Sequence, residues 1–565
     1  MNFNSEEIAS TNLEFGALFA KTLDHLGIHK IFFSPGSRST PLIVGIERYS
    51  NIELIPVLDE RSASFLALGT SKRDQIPVGL ICTSGSALTH WFPAVTEACH
   101  SSVPLLLFSA DRPPEQQNCG AGQTIDQKNI FGDFVRGFHQ LEVPSLKAKF
   151  TNNLIKILYL AFQQAIGINP GPVHLNFPFR EPLLPETPHS PKLKFDLKNF
   201  FSEKVCYPDK PSEISRLISY SRRILVIAGQ FFSKKDLQTL LNSEDPPVLC
   251  DSLSPGRHSD SSNLILRYEN LLRSSEFCDR AIPDLILVLG PLPTSKVLRK
   301  WLDTSGTRRI IIEPRGVKVD PLKSASSSFQ ISYEEFQEVV IPEPEYEWLE
   351  LWKEAEQEVN FKLKKAFQGD LPDFEGKVAH LLSLHSPLNA LIFVANSMPI
   401  RDLEWFWVNS QSDRVIFGNR GVNGIDGTLG TAIGIAHDSK KPSFLLTGDL
   451  AFLHDSNALL FADKFQGSLT IFVINNQGGG IFENLPISKE PEFEKCFATP
   501  QKFDLRKLCE GFGVRNEHLS NWSDIIEKIK HPSDSGIQII EIQTDRKKDC
   551  QTRKCMLEIS PIKYA

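Results

Sequence analysis

The stretch "LLTGDLAFLHDSNALLFADKFQGSLTIFVINNQGGGIF" (Leu445–Phe482) decides the fold. It opens on an apolar run that stops at Gly448-Asp449, passes through a helical segment, and closes on a second apolar run that stops at Asn475-Asn476. Two strands joined by a helical crossover make a right-handed unit whose strand carboxyl ends lie side by side. Asp449 and Asn476, 27 positions apart, are then neighbours at the carboxyl edge of a parallel sheet. A carboxylate, an amide carbonyl and a nearby backbone carbonyl suit a hard divalent cation such as magnesium, with phosphate oxygens and water completing the octahedron. Gly448 lets the backbone approach phosphates closely, and the N-terminus of the following helix favours their charge. Either dipeptide alone is an ordinary turn. The pair, each closing an apolar strand, is the informative unit.

The same alternation extends outward. The third block also holds "LIFVANSMPIRD" (391–402), "VIFGNRGVNGIDGTLGTAIGIAH" (415–437) and "IQIIEIQTD" (537–545). The first block holds "KIFFSPGSRS" (30–39), "VGLICTSGSA" (78–87), "VPLLLFSADRPPE" (103–115) and "GPVHLNFP" (171–178). Between them lie "RRILVIAGQ" (222–230), "PPVLCDSLSPGRH" (246–258), "PDLILVLGPLPTSKVLRKWL" (283–302) and "RRIIIEPRG" (308–316). Strands alternating with helices predict parallel sheets. Proline-rich "FREPLLPETPHSPK" (179–192) and "IPEPEYEWLELWKEAEQEV" (341–359) read as linkers, the second entering a helix. The expectation is α/β: three parallel-sheet domains at 1–185, 195–340 and 345–565.

The chain has 565 residues, too many for one core, and its net charge of −7 argues against nucleic acid as the main partner. No apolar run reaches membrane-spanning length, and the polar start "MNFNSEEIAS" does not read as a signal peptide. Ten cysteines form no CxxC pair and the histidines form no HExxH, which predicts reduced thiols of a cytoplasmic protein and no zinc site.

In "VLDERSASFL" (57–66), Glu60 follows the β-rich "NIELIPV". Ala63, Leu66, Ala67 and Thr70 have the i, i+3, i+4, i+7 spacing of one helix face. Glu60 thus sits where a strand gives way to a helix, a place where α/β proteins gather functional groups. Taken alone, an acid there is a solvated residue worth a few tenths of a kcal/mol to the helix.

The Gly448-Asp449 and Asn475-Asn476 pair resembles the diphosphate-binding motif of thiamine-diphosphate enzymes, GD followed about 25–30 residues later by NN. The resemblance implies pyrimidine-binding, central and diphosphate-binding domains, thiamine diphosphate as cofactor, and Mg2+ or Mn2+ held by Asp449, Asn476 and the carbonyl of Gly478. It also gives Glu60 a role: hydrogen bonding to N1′ of the cofactor's aminopyrimidine from a poorly solvated pocket, which drives proton transfer.

Further segments narrow the resemblance. "SPGSRSTPL" (34–42), "DERSASFLALG" (59–69), "TSGSA" (83–87), "ADRPPE" (110–115), "CGAGQTI" (119–125), "NSMPIRD" (396–402), "GNRGVNGIDG" (418–427) and "GGGIFENLP" (478–486) occur in that order. They resemble the superfamily's menaquinone- or phylloquinone-pathway synthases, which decarboxylate 2-oxoglutarate and add the succinyl unit to isochorismate. The likeness is strong in the first and third blocks and weak in the middle one. Both substrates are dianions, which favours arginine forks, and Arg38, Arg112, Arg401 and Arg420 lie in the matched loops.

By resemblance, Arg401 with Ser397 holds the distal carboxylate of 2-oxoglutarate. Ser37, Arg38, Arg112 and Gln123 hold isochorismate, with Lys296 a further contact. Ile481 and Phe482 line the pocket or pack on the cofactor. Ile425 either props the cofactor or is plain core. Two positions depart from the pattern: Gly122, where a polar residue is common, and Val297, where a second basic residue is expected. The resemblance implies a homodimer or homotetramer. An acetohydroxyacid-synthase-like enzyme acts on monoanionic pyruvate and needs fewer clamps. A catalytically silent relative does not need Glu60, Asp449 and Asn476 together. A dinucleotide oxidoreductase lacks support, since no clear GxGxxG follows a strand.

Overall fold

Short aliphatic runs buried on both faces are the strands of the computed structural model, which describes residues 5–187, 207–230, 233–242, 244–369 and 371–561. The tail of the first linker (188–192) and the expected boundary at 195 lie outside the described residues. Among the described residues, eighteen strands form three six-stranded sheets in which every pair is parallel. The first contains β1 (Lys30–Phe33), β2 (Glu53–Pro56), β3 (Val78–Cys82), β4 (Leu105–Asp111), β5 (Gly137–Gln140) and β6 (Val173–Pro178), in the order β2-β1-β3-β4-β6-β5. The second contains β7 (Ile224–Ala228), β8 (Val248–Cys250), β9 (Leu264–Ile265), β10 (Leu285–Leu289), β11 (Arg308–Ile312) and β12 (Ser327–Phe329), in the order β12-β11-β10-β7-β8-β9. The third contains β13 (Leu391–Val394), β14 (Val415–Phe417), β15 (Ser443–Gly448), β16 (Ser468–Asn475), β17 (Arg515–His518) and β18 (Gly536–Gln543), in the order β14-β13-β15-β16-β18-β17.

The first and third sheets therefore share one strand order, and the second has the doubly wound order of dinucleotide-binding folds. Four strands escape a hydrophobicity reading: β5, β9, β12 and β17. Three of them are half-exposed edge strands, and edges carry polar side chains because one flank faces water. β9 is buried but only two residues long.

The chain packs as two compact units, one of residues 1–205, 419–439 and 451–467, the other of 206–418, 440–450 and 468–565. In the first, helices Glu60–Asp74 and Thr428–Ala436 cross with their backbones in contact. A Cβ on Gly69 would stand 2.1 Å from the Thr431 carbonyl oxygen, and one on Gly434 2.1 Å from that of Leu66. Thr70 Oγ1 donates to the Gly434 carbonyl at 3.1 Å. In the second, buried arginines tie the two sheets: Arg257 donates to the Glu404 carbonyl (3.1 Å) and Arg267 to that of Trp407 (2.8 Å). Helix Tyr346–Gln368 packs Trp348 and Trp352 into the core of the second sheet. Among the described residues no helix is long and apolar enough to cross a membrane, and nine cysteines are free.

Candidate active site

β15 and β16 are adjacent, with Gly448 level with Ile474, so Asp449 and Asn476 emerge together at the carboxyl edge of the third sheet. Asp449 opens helix Asp449–His454. One of its carboxylate oxygens accepts the Leu450 N–H (2.8 Å), the other the Gly478 N–H (2.9 Å). Burial pushes its carboxyl up to about 6, and the charge of Glu375 adds to the rise. A bound cation reverses that balance. Asn476 spends its Nδ2 on Glu375 (2.9 Å), and its buried Oδ1 has no hydrogen-bond partner among the described residues. An unmatched buried acceptor costs about 1–3 kcal/mol, a cost a metal ion removes.

Gly478 has φ +132°, and a Cβ there would stand 2.3 Å from the Ala498 carbonyl oxygen, so no other residue fits. Its own carbonyl accepts the Gly480 N–H at 2.9 Å, which uses one of two lone pairs. A Cβ on Gly448 would meet nothing within 4 Å, so the strand end opens onto space. An orphaned carbonyl oxygen, a buried carboxylate and an open glycine edge fit a magnesium diphosphate.

Sequence reading missed what stands behind these groups. Buried Glu375 accepts from Asn476 and from Arg553 Nη2 (2.6 Å), and Arg553 Nε donates to Asp402 (2.7 Å). Asp549 accepts the Glu375 N–H (3.1 Å) and the Thr544 hydroxyl (2.7 Å). Burial, then the Glu375 charge, raises the Asp549 carboxyl, while Asp402 and Glu375 hold the Arg553 guanidinium firmly protonated. These residues come from three separate segments and carry no local motif.

Four predicted side chains meet in one cavity of about 370 Å³ in the second unit: Lys296, Arg401, Ile481 and Phe482. Arg401 Nη1 donates to the Ser397 carbonyl at 2.6 Å. Ser397 itself stands at φ +73°, ψ −125°, at the head of helix Met398–Phe406. A non-glycine residue held there stores about 1–3 kcal/mol of strain, a cost met most often at functional sites.

The first unit carries the other predicted residues. Glu60 is half-buried and is the first residue of its helix, behind the cap Asp59, which accepts the Arg61 N–H (2.8 Å). Burial pushes the Cys82 thiol, at the end of β3, well up, and the Glu60 carboxylate adds to that rise, so the two ends are electrostatic neighbours. Buried Arg38 donates to the Phe179 carbonyl (2.9 Å) and to Glu181, and Arg112 reaches the same Glu181 carboxylate at 3.6 Å. Asp111, next to Arg112, is fixed by Asn176 (2.7 Å), which Ser109 and Gln127 hold in turn (2.7 and 2.8 Å). Exposed Gln123 donates to the Ser84 carbonyl (3.0 Å), and exposed Ser37 opens the turn Ser37–Ser39.

The loop that bears Arg420 and Ile425 is gripped by Glu97. Its buried carboxylate accepts the N–H groups of Gly421 (3.0 Å) and Val422 (2.8 Å) and pairs with Lys72 (3.2 Å). Ile425 is half-buried. The one cluster of three His, Cys, Asp or Glu side chains close enough for a metal among the described residues is Glu53, His437 and Asp438. The Lys30 ammonium already bridges its two carboxylates.

Residues 13–130 match the family described as "Thiamine pyrophosphate enzyme, N-terminal TPP binding domain", and residues 404–542 its C-terminal TPP-binding counterpart. With the paired sheets and the Asp449–Asn476 edge, these matches make the chain a thiamine-diphosphate-dependent enzyme. A protein of Trichodesmium erythraeum is 40% identical over 97% of this chain and 98% of its own length. One of Gloeothece citriformis is 40% identical over 98% of both chains. A third, of Nostoc sp., is 40% identical over 95% of this chain and 96% of its own. All three are named 2-succinyl-5-enolpyruvyl-6-hydroxy-3-cyclohexene-1-carboxylate synthase. The chain belongs to that synthase family, a carboligase-type group of transferases.

Proposed function

We propose that the protein decarboxylates 2-oxoglutarate and adds the succinyl unit to isochorismate in a 1,4-addition, giving 2-succinyl-5-enolpyruvyl-6-hydroxy-3-cyclohexene-1-carboxylate and CO2 in menaquinone or phylloquinone biosynthesis. The observation that carries the reading is the cavity where Lys296 and Arg401 face one space beside Ile481 and Phe482. Cations beside apolar walls suit substrates that are dianions on small carbon frames.

Thiamine diphosphate, when bound, supplies a nucleophilic carbon and an electron sink for the loss of CO2. Asp449, Asn476 and the Gly478 carbonyl would hold Mg2+ or Mn2+ for its diphosphate, and the Gly448 edge would make room for it. Glu60 holds a proton at N1′ of the aminopyrimidine. Arg401 with Ser397 orients the distal carboxylate of 2-oxoglutarate. Ser37, Arg38, Arg112 and Gln123 hold isochorismate, with Lys296 a further contact, and Arg420 is another substrate-binding residue. Ile481 and Phe482 exclude water from the reacting carbon, which strengthens every charge contact there, and Ile425 props the cofactor.

The active assembly is a homodimer or homotetramer in the cytoplasm, with domains at 1–185, 195–340 and 345–565. Each of those ranges holds one six-stranded sheet, which supports the division. The test is steady-state kcat/KM with isochorismate as acceptor and 2-oxoglutarate or pyruvate as donor. A strong preference for 2-oxoglutarate is expected. A preference for pyruvate overturns the reading in favour of an acetohydroxyacid-synthase-like reaction.

A further inference from the structure

The cavity that contains Lys296 and Arg401 has another cation in its wall. Helix Arg546–Leu557 brings in Lys554 near its carboxyl end, next to Leu557. Most other charges around this space are already committed. Arg273 pairs with Glu269 at 3.4 Å, and Glu404 with the buried Arg257 at 3.0 Å. Arg401 is turned onto the Ser397 carbonyl at 2.6 Å. Lys554 and Lys296 are both exposed, and neither forms an ion pair among the described residues.

The two ammonium groups and the Arg401 guanidinium share one cavity of about 370 Å³ with a single carboxylate that forms no ion pair among the described residues, Glu558, and with apolar walls from Met398, Trp405, Ile481 and Phe482. The surplus of positive charge calls for an anionic occupant with an apolar frame. The flexible lysine stem lets each ammonium follow a carboxylate whose position is not fixed by a planar fork. Val297 lines the same space without charge, so Lys554 supplies positive potential that the helix start at Lys296 does not double.

We propose that Lys554 is a substrate-binding residue that pairs with a carboxylate of the dianionic acceptor, together with Lys296. The assignment rests on the proposed role of Lys296, which shares this cavity with the donor-binding Arg401, as a contact of the acceptor. A charge pair at a partly desolvated wall implies about a three- to tenfold rise in the isochorismate KM for Lys554→Gln, with the KM for 2-oxoglutarate unmoved. Lys554→Arg keeps the charge and stays within about twofold of the parent.

The experiment measures both KM values for the parent, Lys296→Gln, Lys554→Gln, Lys554→Arg and the double variant Val297→Lys, Lys554→Gln. Calorimetric titration of isochorismate into the donor-free holoenzyme accompanies the kinetics. Recovery of acceptor affinity in the double variant supports a charge role, because a lysine at position 297 restores the potential from a different element. If Lys296→Gln raises the acceptor KM and Lys554→Gln does not, the proposal fails while the acceptor role of Lys296 stands. If neither lysine variant changes acceptor binding, the acceptor does not reach this cavity, and the proposal falls together with the acceptor role given to Lys296. An equal rise in both KM values on Lys554→Gln also overturns the proposal, since it marks a structural effect.

Discussion

Glu60 draws its meaning from its surroundings. An acid at the head of a helix is ordinary, yet this one is half-buried and its charge is felt by the Cys82 thiol at the next strand end. Glu60→Gln is expected to keep the fold and lose about a hundred- to ten-thousand-fold in rate, the usual cost of removing a positioned proton-transfer group. Exchange of the C2 hydrogen of bound cofactor, followed by NMR, reads the effect directly; exchange at the parent rate would refute the role. Arg401→Ala should lower kcat/KM for 2-oxoglutarate by about thirty- to several-thousand-fold, because a carboxylate left unpaired in a closed site costs about 2–5 kcal/mol. Turnover of pyruvate, which lacks that carboxylate, should fall far less, and Arg401→Lys should recover only part of the loss. Equal losses for both donors would mark Arg401 as structural. The Asp449 and Asn476 pair was legible because one crossover joins two apolar strands in a single continuous stretch. Glu375, Asp402, Asp549 and Arg553 were not, because charges from distant segments acquire a shared role only once the chain has folded.

Helices and strands show a similar contrast. Central strands announce themselves by unbroken aliphatic runs, whereas β5, β12 and β17 have one free flank and read as loops. The crossing of helices Glu60–Asp74 and Thr428–Ala436 had a faint trace, glycines inside helical segments, but nothing to say which backbones they admit. Gly434→Ala drives a methyl group against the Leu66 carbonyl, and overpacking of backbone on backbone costs about 1–3 kcal/mol or more. Its thermal midpoint should drop by several degrees, while Gly511→Ala, where a Cβ meets nothing within 4 Å, should not lower it. A midpoint unchanged by Gly434→Ala would show that the helices separate freely. β4 and β6 carry a second element-scale test. His174 is buried against Ser109 Oγ at 2.7 Å, and burial lowers its pKa from 6.5 to about 3. Because the unfolded chain takes up the proton first, this residue's contribution is complete above about pH 6.5 and is lost as pH falls toward 3. At pH 5 the loss is about 2 kcal/mol. The urea midpoint should therefore fall between pH 7 and pH 5, and fall less in His174→Gln; parallel curves would contradict the assignment.

On the scale of the whole molecule, two sheets of identical strand order carry complementary halves of the proposed site. Glu60 follows the second strand of one sheet, and Asp449 and Asn476, the proposed metal ligands, follow the third and fourth of the other. Proteins of this superfamily usually complete each site with two subunits, so the smallest active species is expected to be a homodimer. Sedimentation at assay concentration checks this, and a fully active monomer would contradict it. The helix crossing in the first unit has one more consequence. Gly69 lies against Thr431, and Gly434 against Leu66; on each helix the glycine stands three residues after the carbonyl that receives the other helix's glycine. A half-turn thus exchanges the two sides of the contact, like a keyed joint cut identically on both shafts. Sliding either helix in either direction jams backbone on backbone at both keys. The carboxylate at the head of one helix and the arginine loop that leads into the other therefore travel as a single rigid piece, and any breathing that admits substrate must hinge somewhere else.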